Sequence, residues 1–176
     1  MPYNILIAVS ENGDLEASAV RAFLENLGCT VMMKYIGRPN DFIDVLEGSL
    51  PFQPDIVIFC GHGDNSRFLM PALAEFIYLP GEPKEISAED VSTHLRIQPQ
   101  LFLSTACTTG IPEIGEIFRR HGIIYIAPDD YVPGSDMLFF VCSLFFWNIT
   151  RGASFAEAAE VSKVTSELDC ISVFDL

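Results

Sequence analysis

Residues 55–64 have the sequence DIVIFCGHGD, and the first six of them are apolar at nearly every position. A strand with one solvated face alternates apolar and polar residues, whereas a near-continuous apolar run indicates a strand buried on both faces. Pro54 precedes the run, and glycines at 61 and 63 allow the backbone to turn sharply after it. We therefore predict a buried strand over residues 55–60 and a tight loop that carries His62.

Short β-rich runs alternate with helical patterns on both sides of this stretch. Further strands are predicted over residues 3–9, 29–36, 101–104 and 123–127. Helices are predicted over residues 15–27, 41–50, 87–95, 112–121, 136–151 and 154–168. This alternation predicts an α/β fold, a three-layer α/β/α sandwich around a mainly parallel sheet, in a single domain over residues 1–176. Residues 65–85 contain three prolines and leave a hairpin, a strand or a flap over the site as open alternatives.

The charge balance excludes two classes of partner. The 176 residues include 24 acidic and 10 basic residues, which gives a formal net charge of −14. Non-specific nucleic-acid binding and docking on an anionic membrane both need a basic surface, so neither partner is expected. The acidic charge has two open interpretations, a solvated surface that maintains solubility or a field that attracts basic peptides.

The termini and the cysteines predict a cytoplasmic protein without metal or cofactor. The chain starts directly with a strand-like run and has no basic leader of a secretory signal. The longest apolar run, residues 137–147, is shorter than the roughly 20 residues that span a membrane. The five cysteines form no CxxC pair and no Cys/His ligand spacing, which indicates neither a disulfide framework nor a metal site.

Two loops at strand ends carry the residues with catalytic potential. Ligands bind beyond the carboxyl ends of a parallel sheet, so the loops after Val9, Cys60, Ser104 and Ala127 are the places to search. His62 follows the strand over 55–60, and Cys107 lies in residues 101–110, LFLSTACTTG. If the two strands are neighbours, their ends lie about 5 Å apart and the two side chains about 4–7 Å apart. A histidine at that position supplies the base that a cysteine nucleophile needs.

These segments resemble the caspase-like superfamily of cysteine peptidases, and its CHAT-type members most. DIVIFCGHGD is similar to their strand–GHG segment, LFLSTACTTG to their LSACxTG segment, and residues 121–136 and 145–163 to the following strand, loop and closing helices. The resemblance implies a caspase-like fold with flavodoxin-like winding. It also implies His62 as acid/base, Cys107 as nucleophile, and the backbone N–H groups of Gly63 and Cys107 as oxyanion-hole donors. Metacaspases carry an aspartate two positions before the nucleophile, where this chain has Thr105.

Loop aspartates suggest the substrate. Asp129, Asp130 and Asp136 follow the strand next to the proposed nucleophile strand, and Asp64 follows the histidine turn. They are either solvated loop acids or a pocket that pairs with a basic side chain. On the second interpretation we expect a peptide or protein substrate with Arg or Lys at P1, the residue before the scissile bond. The oligomeric state is not predicted.

Three other functions are compatible with parts of the sequence. A catalytically silent caspase-like module would bind or scaffold a peptide with the same loops. A glutamine-amidotransferase-like enzyme also places a cysteine after a strand, but there the cysteine precedes its histidine. A flavodoxin-like nucleotide binder lacks support because no glycine-rich phosphate motif follows the first strand.

The other cysteines and histidines are expected to have structural roles. Four cysteines should pack in the interior, namely Cys29, Cys60, Cys142 and Cys170, and two histidines, His94 and His121, should lie at helix ends.

Overall fold

The computed structural model describes residues 2–176 and contains a six-stranded sheet with a smaller sheet beside it. The strands of the large sheet are β1 (Asn4–Val9), β2 (Thr30–Tyr35), β3 (Ile56–Cys60), β7 (Leu101–Ser104), β8 (Ile124–Pro128) and β9 (Ile171–Phe174). The small sheet consists of β4 (Gly63–Asp64), β5 (Arg67–Leu69) and β6 (Glu85–Ile86). The helices are α1 (Asp14–Asn26), α2 (Pro39–Glu47), α3 (Ala88–His94), α4 (Pro112–Arg120), α5 (Gly134–Phe145) and α6 (Phe155–Ser166), with a π-helical segment (Phe146–Thr150) directly after α5.

Alternation along the strands separates two apolar cores. In β1, Ile5 and Ile7 pack on the side of α1, α5 and α6, whereas Leu6 and Ala8 pack on the side of α2, α3 and α4. The large sheet therefore lies between two layers of helices, which confirms the predicted α/β/α sandwich. Its order is β2-β1-β3-β7-β8-β9, with every neighbouring pair parallel except β8 and β9. The first five positions of this order reproduce flavodoxin-like winding, as expected.

The central strand β3 is the run quoted first from the sequence. All five of its residues are fully buried, and it pairs in parallel with β1 on one side and β7 on the other. Phe59 lies opposite Ser104 in the pairing of β3 with β7. The loops that carry His62 and Cys107 therefore leave adjacent strands at the same edge of the sheet.

Two helices differ in detail from what the sequence suggests. The helix predicted over residues 136–151 is present, but its bonding changes from α-helical to π-helical after Phe145. In α1 the pattern that predicts the helix is the spacing of Leu15, Ala19, Ala22, Phe23 and Leu27, which suggests these residues as its apolar face. The structure instead buries Ala17, Val20 and Leu24, and it leaves Leu15 82% exposed.

The sheet has one strand more than predicted. Strand β9 is antiparallel to β8 at the sheet edge, and apart from Ile171 it is only half-buried. Its Phe174 packs where a Cβ on Gly115 of α4 would lie 2.2 Å from the ring. This contact between β9 and a glycine of α4 is a tertiary interaction, so the short run ISVF is insufficient to predict the strand.

Residues 65–85, for which three alternatives were left open, begin with a hairpin. Asn65 and Ser66 both have positive φ, 47° and 63°, which are the left-handed conformations that a two-residue hairpin turn between β4 and β5 requires. The chain then runs without helix or strand until β6, which pairs with β5. Glu82 anchors this stretch to the main body, because both of its carboxylate oxygens accept hydrogen bonds from Arg38, at 2.9 and 2.6 Å.

Candidate active site

The loop that carries His62 and the loop that carries Cys107 lie so close that their backbones are in contact. His62 lies between Gly61 and Gly63, and its carbonyl accepts a hydrogen bond from the Leu69 N–H at 3.0 Å. A Cβ on Gly63 would lie 2.1 Å from the carbonyl oxygen of Cys107, closer than any side chain allows. Only glycine at position 63 therefore lets the two loops come together.

The cysteine loop is held by its own hydroxyl groups. The Ala106 N–H donates to the Ser104 hydroxyl at 3.1 Å, and the Thr109 hydroxyl donates to the Ala106 carbonyl at 2.7 Å. Thr108 has a φ of 60°, a left-handed conformation that is strained for a residue other than glycine. Its hydroxyl accepts a hydrogen bond from the Ser66 N–H at 3.1 Å, which ties the cysteine loop to the hairpin beside His62.

His62 and Cys107 line one cavity of about 220 Å³, which we call the Cys107 pocket. Residues after β1, β3, β7 and β8 contribute to it, which are the four loops that the sequence selected. The lining residues are Asn12, Gly13, Leu15, Glu16, Gly61, His62, Thr105, Cys107, Val132, Gly134 and Met137. The prediction of the crevice at the carboxyl edge of the sheet is therefore confirmed.

The cysteine that ends β3, Cys60, and the cysteine in the loop after β7, Cys107, have different surroundings. The sulfur of Cys107 accepts a hydrogen bond from the Val132 N–H at 3.5 Å and lies 3.8 Å from the Val132 carbonyl oxygen. Cys60 is fully buried, and this burial raises the pKa of its thiol well above the usual range. A thiol that resists ionisation is a poor nucleophile, so Cys60 has the core role that the sequence suggested.

A carboxyl group that the sequence analysis did not select lies in the Cys107 pocket. Glu16, in the first turn of α1, accepts a hydrogen bond from the Thr105 hydroxyl through Oε2 at 2.8 Å. Its other oxygen, Oε1, is buried and has no hydrogen-bond partner among residues 2–176. Burial raises the pKa of this carboxyl from 4.5 to about 7, against a smaller opposite effect of the Thr105 hydrogen bond. A buried acceptor without a donor is a place for a donor on a ligand.

The four aspartates selected from the sequence are not among the described residues that line this pocket. Each is engaged locally instead. Asp64 accepts a hydrogen bond from the Tyr131 hydroxyl, Asp129 from the Ser172 hydroxyl at 2.7 Å, Asp130 from the Tyr131 N–H at 2.7 Å, and Asp136 from the Ser135 hydroxyl at 3.0 Å. The bridge from Tyr131 to Asp64 connects the loop after β8 to the hairpin beside His62, and it raises the pKa of the Tyr131 hydroxyl.

The remaining candidates lie elsewhere in the fold. His94 ends α3 and contacts Glu47 at 2.7 Å, and His121 caps α4 with its ring against the Ile117 carbonyl at 2.8 Å. Cys29 is buried, while Cys142 and Cys170 are only half-buried rather than fully packed. Within residues 2–176, no three His, Cys, Asp or Glu side chains are grouped to hold a metal ion, and no helix is both long enough and apolar enough to cross a membrane.

Comparison with known proteins identifies the fold. No family model matches the sequence, and no curated protein matches it either. Among solved structures, the complex of the Porphyromonas gingivalis RgpB pro- and mature domains has a TM-score of 0.64 at 14% identity, over 94% of this chain and 43% of that one. A secreted C11 cysteine protease from Bacteroides thetaiotaomicron, bound to an irreversible peptide inhibitor, has a TM-score of 0.51 at 11% identity, over 92% of this chain and 58% of that one.

The chain has a caspase-like fold. At these identities the likeness concerns the fold alone, and the chain spans about half the length of either matched protein.

Proposed function

We propose that this protein hydrolyses peptide bonds through an acyl-enzyme on Cys107, with His62 as the acid and base. The observation that supports this most is that both side chains line one cavity at the ends of the adjacent parallel strands β3 and β7. The separation of about 4–7 Å expected from the sequence is part of the proposal, since unliganded sites tolerate such loose geometry.

The chemistry follows from the two side chains. His62 takes the thiol proton, and the sulfur of Cys107 attacks the scissile carbonyl carbon. His62 then gives the proton to the leaving nitrogen as the C–N bond breaks, which leaves a thioester on Cys107. Water, deprotonated by His62, attacks this thioester and releases the acid product. The Val132 N–H beside the sulfur is a ready partner for the thiolate that leaves.

Backbone donors for the oxyanion are proposed at Gly63 and Cys107. The Leu69 N–H bonds to the His62 carbonyl, so the next pair of the hairpin, Gly63 and Phe68, is of the type that exchanges no hydrogen bonds. The N–H of Gly63 is therefore free of the hairpin ladder. Because the backbones of Gly63 and Cys107 touch, two donors next to the nucleophile are available to a developing negative charge.

Glu16 is the group that we propose to bind P1, with Arg or Lys as its partner. Thr105 stands where metacaspases carry an aspartate, and its hydroxyl donates a hydrogen bond to the carboxylate of Glu16. The negative charge in the pocket would therefore come from helix α1 instead of the loop that carries Cys107. A guanidinium or ammonium group would supply the donor that Oε1 lacks. Asp64, Asp129, Asp130 and Asp136 are proposed to act at longer range, by attracting a basic peptide or protein substrate.

The proposal also covers the domain organisation, the need for a cofactor and the location of the protein. We regard residues 1–176 as one caspase-like domain of CHAT type that needs no cofactor. The proposed location is the cytoplasm, whose reducing conditions would keep Cys107 as a thiol. The alternative is a catalytically silent module that binds a peptide in the same pocket.

Covalent labelling separates the two functions. A peptide ketone with an electrophilic carbon and Arg at P1 should alkylate Cys107, as detected by mass spectrometry of the digested protein. Cys107→Ala should abolish labelling and amidase activity while leaving the melting temperature nearly unchanged, because a half-buried loop thiol contributes little core volume. Cys60→Ala, the control, should lower the melting temperature and leave residual activity. Absence of labelling at Cys107 would favour the silent module.

A further inference from the structure

A second cavity of about 410 Å³ adjoins the Cys107 pocket. We call it the Tyr78 pocket, and it is lined by Glu11, Asn12, His62, Leu69, Met70, Ala72, Tyr78, Lys84 and Glu85. Asn12 and His62 line both cavities and so form the partition between them. Cys107 and Glu16 line only the first cavity, whereas the second is built largely from residues 69–85.

The surface that this pocket offers is mainly apolar. Leu69, Met70, Ala72 and the ring of Tyr78 contribute carbon surface, and the Tyr78 hydroxyl is held by the Leu73 N–H at 3.2 Å, which fixes the ring.

Two of the three charged residues in the lining, Lys84 and Glu85, pair with other side chains of the protein, and the third, Glu11, is exposed. Lys84 contacts Glu75 at 2.5 Å and lies 5.6 Å from the centre of the Tyr78 ring, and Glu85 contacts Arg67 at 3.1 Å. A ligand group in this pocket would therefore meet mostly carbon atoms. The volume of the Tyr78 pocket falls within the range of about 300–1,000 Å³ typical of ligand sites.

The position of His62 gives the two cavities different roles, if the proposed function holds. The residue before the scissile bond must lie with the nucleophile, in the Cys107 pocket. The leaving nitrogen must receive its proton from His62, so the chain beyond the scissile bond passes on the side of His62 away from Cys107. The Tyr78 pocket opens on that side.

We propose that the Tyr78 pocket binds the side chain of the residue after the scissile bond, P1′, and selects a large apolar or aromatic residue. The inference rests on the proposed function. It also predicts that an amine carrying such a side chain competes with water for the acyl-enzyme. The amine nitrogen attacks the thioester carbonyl, the C–N bond forms and the C–S bond breaks. The proton lost by nitrogen passes to His62, and the sulfur leaves as thiolate.

The proposed P1′ preference can be tested by how the acyl-enzyme divides between reaction with an amine and reaction with water, while P1 is kept constant. A short peptide with Arg at P1, joined to a fluorogenic amine, is the acyl donor, and leucinamide, phenylalaninamide, lysinamide or glycinamide is added. Mass spectrometry measures the ratio of amide product to acid product. Leucinamide and phenylalaninamide should be at least about tenfold better acceptors than glycinamide, as expected for an apolar side chain in a matching pocket.

Three variants locate the effect. Tyr78→Ala removes the ring and should lower the preference for leucinamide at least about fivefold. Ala72→Asp, at an exposed lining position that tolerates the change, should favour lysinamide over leucinamide. Phe76→Ala is the matched control, since Phe76 is on the same stretch but 89% exposed and outside the pocket, and it should change neither rate nor partition.

The outcomes separate the two proposals. If Cys107 is acylated but all four amides partition alike, or if Tyr78→Ala and Ala72→Asp keep the wild-type preference, the Tyr78 pocket has no such role and the peptidase proposal stands. If no acyl-enzyme forms and the peptide ketone does not label Cys107, both proposals fail.

Discussion

The carboxyl groups near the candidate site fall into two sets, and their surroundings differ in every respect. Glu16 lies in the Cys107 pocket, largely buried, with one oxygen bonded to Thr105 and the other without a partner among the described residues. Asp129 and Asp130 lie on the loop after β8, exposed to solvent and hydrogen-bonded to Ser172 and to the backbone. The two aspartates already accept hydrogen bonds, whereas one oxygen of Glu16 has no donor among the described residues.

This difference shows why proximity in sequence to a strand end is insufficient to identify a binding carboxylate. A solvated carboxylate that already accepts hydrogen bonds gains little from a ligand, because water and protein donors must be replaced. A desolvated carboxylate gains a full charge-assisted pair. The cost of keeping Glu16 unpaired in the free protein should be measurable, and three predictions test the distinction between the two sets of carboxyl groups.

The largest expected effect is on stability. Between about pH 4.5 and 7 the folded protein keeps the Glu16 proton and the unfolded chain has lost it, so the raised pKa makes the free energy of unfolding fall as pH rises through this window. Glu16→Gln removes this dependence. Relative to the wild type, the free energy of unfolding of the variant should rise by about 2.5 kcal/mol from pH 5 to pH 8. Urea unfolding at the two pH values measures it.

Glu25→Gln is the control for this comparison. Glu25 lies on the same helix, exposed and paired with Arg21, and an exposed ion pair of this kind contributes less than about 1 kcal/mol. The same difference between pH 5 and pH 8 in both variants would mean that Glu16 is solvated like the aspartates.

The second effect is on specificity. Glu16→Gln should lower kcat/KM for a fluorogenic peptide with Arg at P1 about a hundredfold at pH 8, because a charge-assisted pair is lost in a buried site. Asp129→Asn should lower it less than about threefold, and only at low ionic strength, since an exposed charge acts by steering. A larger loss in Asp129→Asn than in Glu16→Gln would reverse the assignment of the P1 carboxylate.

The smallest effect concerns the bridge from Tyr131 to Asp64. Tyr131→Phe removes one hydrogen bond between exposed groups and should lower the free energy of unfolding by less than about 1 kcal/mol. Tyr35→Phe, at an exposed residue that ends β2, is the control and should have no effect. Chemical denaturation of both variants checks this, and a loss of several kcal/mol in Tyr131→Phe would mean that Asp64 contributes like a buried group.

The parallel core of the fold was predictable because burial on both faces leaves a direct trace in composition. DIVIFC and LFLS are almost wholly apolar, and the residues that follow them carry the histidine and the cysteine. The carboxyl edge of the sheet and the loops around the Cys107 pocket follow from such local signals.

Glu16 was missed because the face of α1 was chosen by the largest apolar residues. The series Leu15, Ala19, Phe23 suggested one face, but the helix buries Val20 and Leu24. Glu16 precedes these two residues by one and two helical turns, so the correct face would have placed a carboxyl group at its N-terminal end, beside the first strand. Leu15 tolerates exposure at the mouth of the pocket, which no periodicity reveals.

The central position of β3 has a consequence for exchange of backbone amide hydrogens with solvent. Amides of a strand that is hydrogen-bonded on both sides and fully buried exchange only when the whole domain unfolds. Residues 72–84 have mostly exposed side chains and no helix or strand, so their amides exchange through small local openings. His62 stands two residues beyond β3 and lines the same cavity as Tyr78, which lies in residues 72–84. Deuterium uptake would therefore distinguish the two pockets, because a ligand held by Tyr78 slows exchange over 72–84 and leaves β3 unchanged.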